Sequence, residues 1–306
     1  MSTYTKLMDQ IDDQDLLFNV EAEDVYTIKG RRVPNKKALI NMSTEDVMSV
    51  VSSNYKVVTN EEIFSSFCRS VEASSIRAEG ASVKVRQTPN GARAMVDFIF
   101  PEESIKMYDD ESKTALQLCA LNSFDGTTRY LTKAGGLRMK CLNGQILGHI
   151  VGSYSSTHTE SLCVEEGAKS VIAMIEQFQS AQNYWGAMML TKVDTDVATS
   201  VFKDFLGIKQ NDQLERQNAR LQRCLNLWST YCYEMGSNAY ALYNVLTHYV
   251  SHQEKEYKNP TQAMMHQRNQ IEKTLRTSQV FKEAEEKRSG IDYAAMSKGV
   301  RKLIAA

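Results

Sequence analysis

The chain has no apolar run long enough to cross a bilayer, no cysteine pair spaced C-x-x-C, and only four prolines in 306 residues. The first absence excludes a membrane-spanning helix. The opening stretch, MSTYTKLMDQIDDQDLL, is acidic and lacks a basic segment followed by an apolar one, so no secretory signal is expected and a soluble, non-secreted protein of the host cytoplasm is. The six cysteines (Cys68, Cys119, Cys141, Cys163, Cys224 and Cys232) are scattered, which points to reduced thiols rather than a disulfide framework or a zinc ribbon. Few prolines imply regular structure with few rigid turns. There is no P-loop, no G-x-G-x-x-G after a strand, no G-x-S-x-G and no D-x-D pair, which weakens the case for an enzyme without excluding it. The net charge of −1 gives no overall attraction to nucleic acid, so such a partner must rest on local clustering.

What is present reads as two contrasting halves. Residues 1–42 form a lead-in that ends on VYTIKGRRVPNKKALIN, a short strand candidate with Lys29, Arg31, Arg32, Lys36 and Lys37. TEDVMSVVSS predicts a short helix, and NYKVVTNEEIFSSFCRSVEA a strand and then a helix. Thr59 followed three residues later by Glu62 is a capping box that starts this helix near Asn60. The period then switches to two. Val83 and Val85 alternate with Lys84 and Arg86, a Pro-Asn-Gly turn follows, and Ala94, Val96, Phe98 and Phe100 share one side. TALQLCALN and RYLTKAGGLRMKCLN repeat the theme, with Gly126 and the Gly135-Gly136 pair as turn residues, so residues 80–145 predict an antiparallel meander. Apolar positions three and four apart then dominate. The fold class is α+β, an antiparallel β-meander followed by a mainly helical C-terminal half. Its expected division is a lead-in at 1–42, a core domain at 43–255 and a polar helical extension at 256–306.

Three stretches, SNYKVVTNEEIFSSF, LNSFDGTTRYLTKAGGLRMKCLNGQILG and SNAYALYNVLTHYVSHQ, resemble a phage/plasmid-like protein family of unknown function, domain of unknown function 932. The family pattern has a Tyr followed by Asn-Glu, then Asn-Ser-His-Asp-Gly-Ser, a basic strand ending in Cys-x-Asn, and a late Asn-Ala-x-Thr…His. Its counterparts here are Tyr55 and Asn60; Asn122, Ser123, Asp125 and Gly126; Arg138, Cys141 and Asn143; and Asn244, Thr247 and His252. Order and spacing agree from about residue 50 to 255. Phe124 stands where the family usually has His, which implies that this position carries no chemistry here. The resemblance implies a phage or mobile-element origin and no particular reaction.

The candidate binding surface is basic. Lys84, Arg86, Arg93, Arg129, Lys133, Arg138 and Lys140 stand on the strand candidates 82–100 and 127–142 against Asp97 alone. Lys84 and Arg86, and likewise Arg138 and Lys140, are two apart and share a strand face. An anion would relieve their repulsion, and a phosphate backbone gains affinity from several such contacts by counterion release. Tyr130 and Phe124 are candidates for base stacking. The competing reading pairs these charges with the acidic loop PEESIKMYDDES or with a helix. Asn122, Ser123, Asp125 and Gly126 read first as a tight self-bonded loop, with Asp125 as an acid or ligand the sharper alternative. His248 and His252 have metal-sharing spacing but no Glu between them, and Cys141 has no neighbour to activate it. The aromatics from Trp228 to Tyr249 read as packing residues with a polar handle.

The expectation is therefore a non-enzymatic, oligomeric, single-stranded DNA-binding protein of the annealing type, an accessory to phage recombination or replication. No cofactor and no metal are expected. The alternatives are an interaction module acting on a host factor or an assembly, and a hydrolase using Asp125 with His252.

Overall fold

The structure, a computed structural model, describes residues 2–74, 76–107, 110, 112–139, 143–146, 153–208, 219–252 and 260–293. Chain contacts divide it into two compact units. The first takes in residues 1–103, 116–135 and 147–178, and the second residues 104–115, 136–146 and 179–306. The fold is α+β as expected, but the units interleave along the chain and do not follow cuts at 42 and 255.

In the first unit, α1 (Thr3–Asp12) leads into β1 (Val20–Tyr26), β2 (Arg32–Asn41) and β3 (Asp46–Ser52), an antiparallel three-stranded sheet in that order. Residues 46–52, expected to be helical, are a strand. Val47 and Val50 pair with Ile40 and Ala38 of β2, and β-branched side chains suit that pleated surface. The sheet's inner face packs Leu39, Met48 and Val51 with Phe18, Ala92 and Phe124. Phe124 is fully buried there, its ring 5.8 Å from that of Phe18, so it is a core residue and not a stacking platform for bases.

Helix α2 (Asn60–Ala73) starts where the capping box places it, with Thr59 accepting from the Glu62 N–H and two glutamates in the first turn. It buries Ile63, Phe64, Phe67 and Val71, and Phe67 stacks on Phe98 at 4.4 Å.

The second sheet is the expected meander. β4 (Ser82–Gln87), β5 (Arg93–Lys106), β6 (Lys113–Ser123), β7 (Tyr130–Arg138) and β8 (Asn143–Ile146) lie in chain order. An unforeseen β9 (Ser153–Ser156) pairs with Tyr130–Lys133 of β7. The Asn90-Gly91 hairpin holds, with Gly91 at φ +71° and its N–H on the Thr88 carbonyl. Gly135 and Gly136 lie inside β7 and are not a turn. The open edge of β4 is closed by α1. Gln10 accepts from the Val83 N–H and donates to the Ala81 carbonyl, satisfying backbone groups that an edge strand leaves unpaired. Helix α3 (Val164–Gln177) completes the unit.

The second unit holds the ends of β5 and β7, the start of β6, β8, and helices α4 (Ala181–Leu190), α5 (Thr195–Leu206), α6 (Ala219–Met235), α7 (Ala239–Ser251), α8 (Pro260–Thr277) and α9 (Gln279–Arg288). Helix α7 is buried almost all round and packs against α4, α6 and α8. Among the described residues no helix is long and apolar enough to cross a membrane.

Candidate functional site

The basic surface expected on the strands is largely neutralised from within. Arg86 forms an ion pair with Asp97, whose side chain is fully buried. The Arg93 Nε lies 2.9 Å from an Asp125 carboxylate oxygen, both side chains mostly buried. Arg138, 2% exposed, grips Asp110 through Nε at 2.7 Å and Nη2 at 2.6 Å, with Glu234 at 3.5 Å and its guanidinium 5.7 Å from the Tyr231 ring centre. The competing reading named this partner, since Asp110 lies in the acidic loop. Tyr130 is fully buried and cannot stack on a base. None of these four residues is open to a ligand. Arg138 and Tyr130 lie on β7, where no residue is exposed, and Arg86 and Arg93 meet their carboxylates at half-buried positions. A charge removed from water must find a partner or lose its hydration. Lys84 and Arg129 are exposed and Lys133 is half-buried. Lys140 and Cys141 lie outside the described residues.

The Asn122–Gly126 loop is the point at which the first unit's polar residues converge. The Asn122 amide donates to the Val58 carbonyl and to Asn60 Oδ1, and Asn60 in turn donates to the Leu16 carbonyl. This chain ties β6 to the start of α2. Ser123 donates to the Thr128 carbonyl, and the Tyr55 hydroxyl donates to the Ser123 carbonyl at 2.5 Å. Asp125 accepts from the Thr127 N–H and hydroxyl, a self-bonded turn that Gly126 completes at φ +68°. The stretch is thus a tight, self-bonded loop. Asp125 is held by that turn and by Arg93.

Above the loop lies an open cleft of about 400 Å³ lined by Tyr55, Gly126, Thr128, Arg129, Thr157 and His158, among others. His158 is 5% exposed and stacks on Tyr55 with ring centres 4.8 Å apart. Neither ring nitrogen has a hydrogen-bond partner, and the Thr128 hydroxyl also lacks one. Burial pushes the His158 imidazole down to about 4, with the Lys56 backbone and the Asp125 carboxylate opposing the shift without offsetting it. The imidazole is therefore neutral at physiological pH. Burial also raises the Tyr55 phenol well above its ordinary value, so it remains a donor. The cleft offers hydroxyls, a neutral imidazole and one exposed guanidinium. That set suits a polar or anionic ligand held by hydrogen bonds and offers no nucleophile and base in contact.

His158 and the threonines around it were not singled out in the sequence. The signal was the hydroxyl-rich run GSYSSTHTESL, whose one histidine sits among seven Ser, Thr or Tyr residues. In the second unit, His248 accepts or donates at 2.9 Å with the Tyr231 hydroxyl, and its ring centre lies 4.4 Å from that of His252. Burial, and then His252, Arg223 and Arg138, push His248 down to about 4. Among the described residues no group of three or more His, Cys, Asp or Glu side chains is placed to hold a metal. Trp228, Tyr231, Tyr240, Tyr243 and Tyr249 are buried as packing residues, while Tyr233 is exposed.

A family model described as a domain of unknown function (DUF932) matches residues 47–287. No curated protein and no solved structure matches the chain.

Proposed function

The chain belongs to the DUF932 family, and from that premise and the cleft beside its motif loop we propose that it is a non-enzymatic binder of single-stranded nucleic acid, of the accessory or annealing type, acting in a host cytoplasm. The observation that carries this reading is Arg129, an exposed cation at a hydroxyl-rich cleft built on Tyr55 and the loop that follows Asn122. A phosphate on Arg129 leaves sugar and base edges to the threonines and Asn54. The phosphate and sugar contacts hold a strand without reading its sequence, which only the contacts to base edges would do.

The fate of the buried arginines makes the proposal quantitative. Of the cations singled out, Arg86, Arg93 and Arg138 each have a carboxylate partner, and Arg129 is exposed at the cleft. A single strand releases about 0.7 counterion per neutralised phosphate, so a site centred on Arg129 should give only a shallow fall of log K against log salt. Seven cations on phosphate would give a slope of about −5. Fluorescence anisotropy with a labelled oligonucleotide, titrated over a range of salt, measures this slope. Arg129→Glu should weaken binding about tenfold or more. No binding at micromolar protein and low salt ends the proposal. Indifference to nucleic acid together with co-purification of a stable partner would favour the interaction-module reading instead.

A further inference from the structure

The three-stranded sheet β1–β3 buries one face and leaves the other open. Its inner face carries Leu39 and Val51 into the core. The register puts Glu23, Ala38 and Val50 in one row of the outer face, and Glu21, Ile40 and Val47 in the next. Val47 is 58% exposed and Val50 50% exposed, and at the hairpin end Tyr26 is 59% exposed with Ile28 fully so. Of the nine exposed large apolar side chains in the described residues, five lie between Tyr26 and Val50. Isolated exposed apolar residues need no explanation, whereas a contiguous row on a sheet face does.

The charges around this patch are sorted by position. Glu21 and Glu23 line the β1 side of the two apolar rows, and Glu45 and Asp46 stand at the β2–β3 turn. Beyond Ala38 in the other direction, Lys36 occupies the next outer position of β2, paired with Ser52, and Lys29 and Arg31 follow in the β1–β2 hairpin. All of these side chains are exposed. The face thus runs from an acidic end, through an apolar middle, to a basic end. A surface sorted this way complements its own copy when the copy is turned end for end. A two-fold axis along the Glu23–Ala38–Val50 row sets the Glu21 row of each sheet opposite the Lys36 row of the other and closes Val50 on its copy, with Glu23 at the solvent-facing edge of that row.

We propose that the outer face of β1–β3 is the docking surface for a second copy of this chain, in an antiparallel two-fold dimer. Its size sets its strength. Strands spaced by about 4.8 Å with about 3.3 Å per residue give a sheet footprint near 300 Å². That is below the roughly 800 Å² per partner of a standard stable interface, even with the hairpin side chains added. An interface this small makes a weak, concentration-dependent dimer and not a permanent one.

Sedimentation velocity of the full chain, from about 1 to 200 µM, tests this. The expected result is a monomer–dimer equilibrium that Val50→Glu shifts at least tenfold toward monomer, with an unchanged circular dichroism spectrum. The double variants Glu21→Lys/Glu23→Lys and Arg31→Glu/Lys36→Glu should each self-associate less than the parent. Mixed in equal amounts, they should form a heterodimer at least as tight as the parent dimer, because each then complements the other. A monomer at every concentration overturns the proposal, as it would if a segment of the same chain covered this face. A dimer insensitive to Val50→Glu, or a mixture of the two reversed variants that stays monomeric, overturns it as well. None of these readouts involves nucleic acid, so they stand or fall apart from the ligand.

Discussion

Arg138 separates a structural cation from a ligand-binding one, and its replacement by Met makes the separation measurable. The guanidinium is 2% exposed and bidentate on Asp110, whose side chain is fully buried. Methionine keeps the stem's apolar packing and removes the charge. It leaves a buried carboxylate with the Tyr240 hydroxyl at 3.3 Å and the Ser112 N–H at 2.8 Å as its remaining donors. Removing one member of a buried pair costs about 3–5 kcal/mol, because the other charge stays desolvated. For a unit of this size roughly 2–4 °C is lost per kcal/mol, which predicts a fall in Tm of about 10 °C or more. Adding Asp110→Asn removes the stranded charge while keeping an acceptor for Ser112, so Arg138→Met/Asp110→Asn should recover half or more of the loss. Guanidinium denaturation followed by circular dichroism reads both effects. A cation facing water and waiting for phosphate behaves differently. Its replacement shifts stability by no more than about 0.5 kcal/mol and weakens oligonucleotide binding instead. A single-variant cost under about 1 kcal/mol, or a double variant no more stable than the single, would refute the buried-pair account.

Two further outcomes follow from the first unit and the histidines. A Cβ at Gly167 would lie 2.6 Å from Tyr130 Cε1 and closer still to its hydroxyl, so Gly167→Ala should cost about 1–3 kcal/mol in a thermal melt, with Tyr130→Phe recovering part of it. If the substitution is neutral, α3 does not approach β7 as closely as described. His158 and His248 are both held near 4 by burial, below the ordinary 6.5, so each takes up its proton at higher pH in the unfolded chain than in the folded one. Their contribution is whole above about pH 6.5 and is lost as pH falls toward 4, on the order of 3 kcal/mol for the buried His158 and less for the partly exposed His248, where solvent screens the charge. His158→Phe should flatten that part of the stability–pH curve while preserving the ring stack on Tyr55, and an unchanged curve would contradict it.

Local signals placed some elements well and failed where pairing partners decide. Thr59 and Glu62 fixed the start of α2, and Asn90-Gly91 fixed the β4–β5 hairpin, because each acts within a few residues. Val47, Val50 and Val51 have the three-and-four spacing of a helix, yet the residues that hold them as β3 are Ile40, Ala38 and Lys37, reached only through a hairpin. Gly135 and Gly136 carry the composition of a turn. They lie instead within β7, just beyond the four residues that pair with β9, and the boundary between the two units falls between them. The motif loop was legible as a self-bonded turn, since Asp125 bonds its own Thr127. His158 was not legible, because what brings it to Tyr55 is the fold of the whole first unit and not any spacing along the chain.

The alternation of lysine and arginine along the meander illustrates a wider limit of period-two reasoning. Alternation separates a wet face from a dry one only where a sheet has a wet face. On β4, an edge strand, the exposed positions alternate with half-buried ones and Lys84 is outside. On β6, every residue after Lys113 is buried, and on β7 none is exposed. A cation two residues from the next on such a strand does not mark a groove. It marks a carboxylate to be found elsewhere in the chain, here Asp110 for Arg138, and even on edge strand β4 the half-buried Arg86 pairs with Asp97. Phosphate contacts are then to be sought at loops, the position of Arg129. The salt slope counts those contacts directly. A slope near −5 would mean that the buried pairs open when a strand binds, whereas a much shallower one leaves them as fixed parts of the fold.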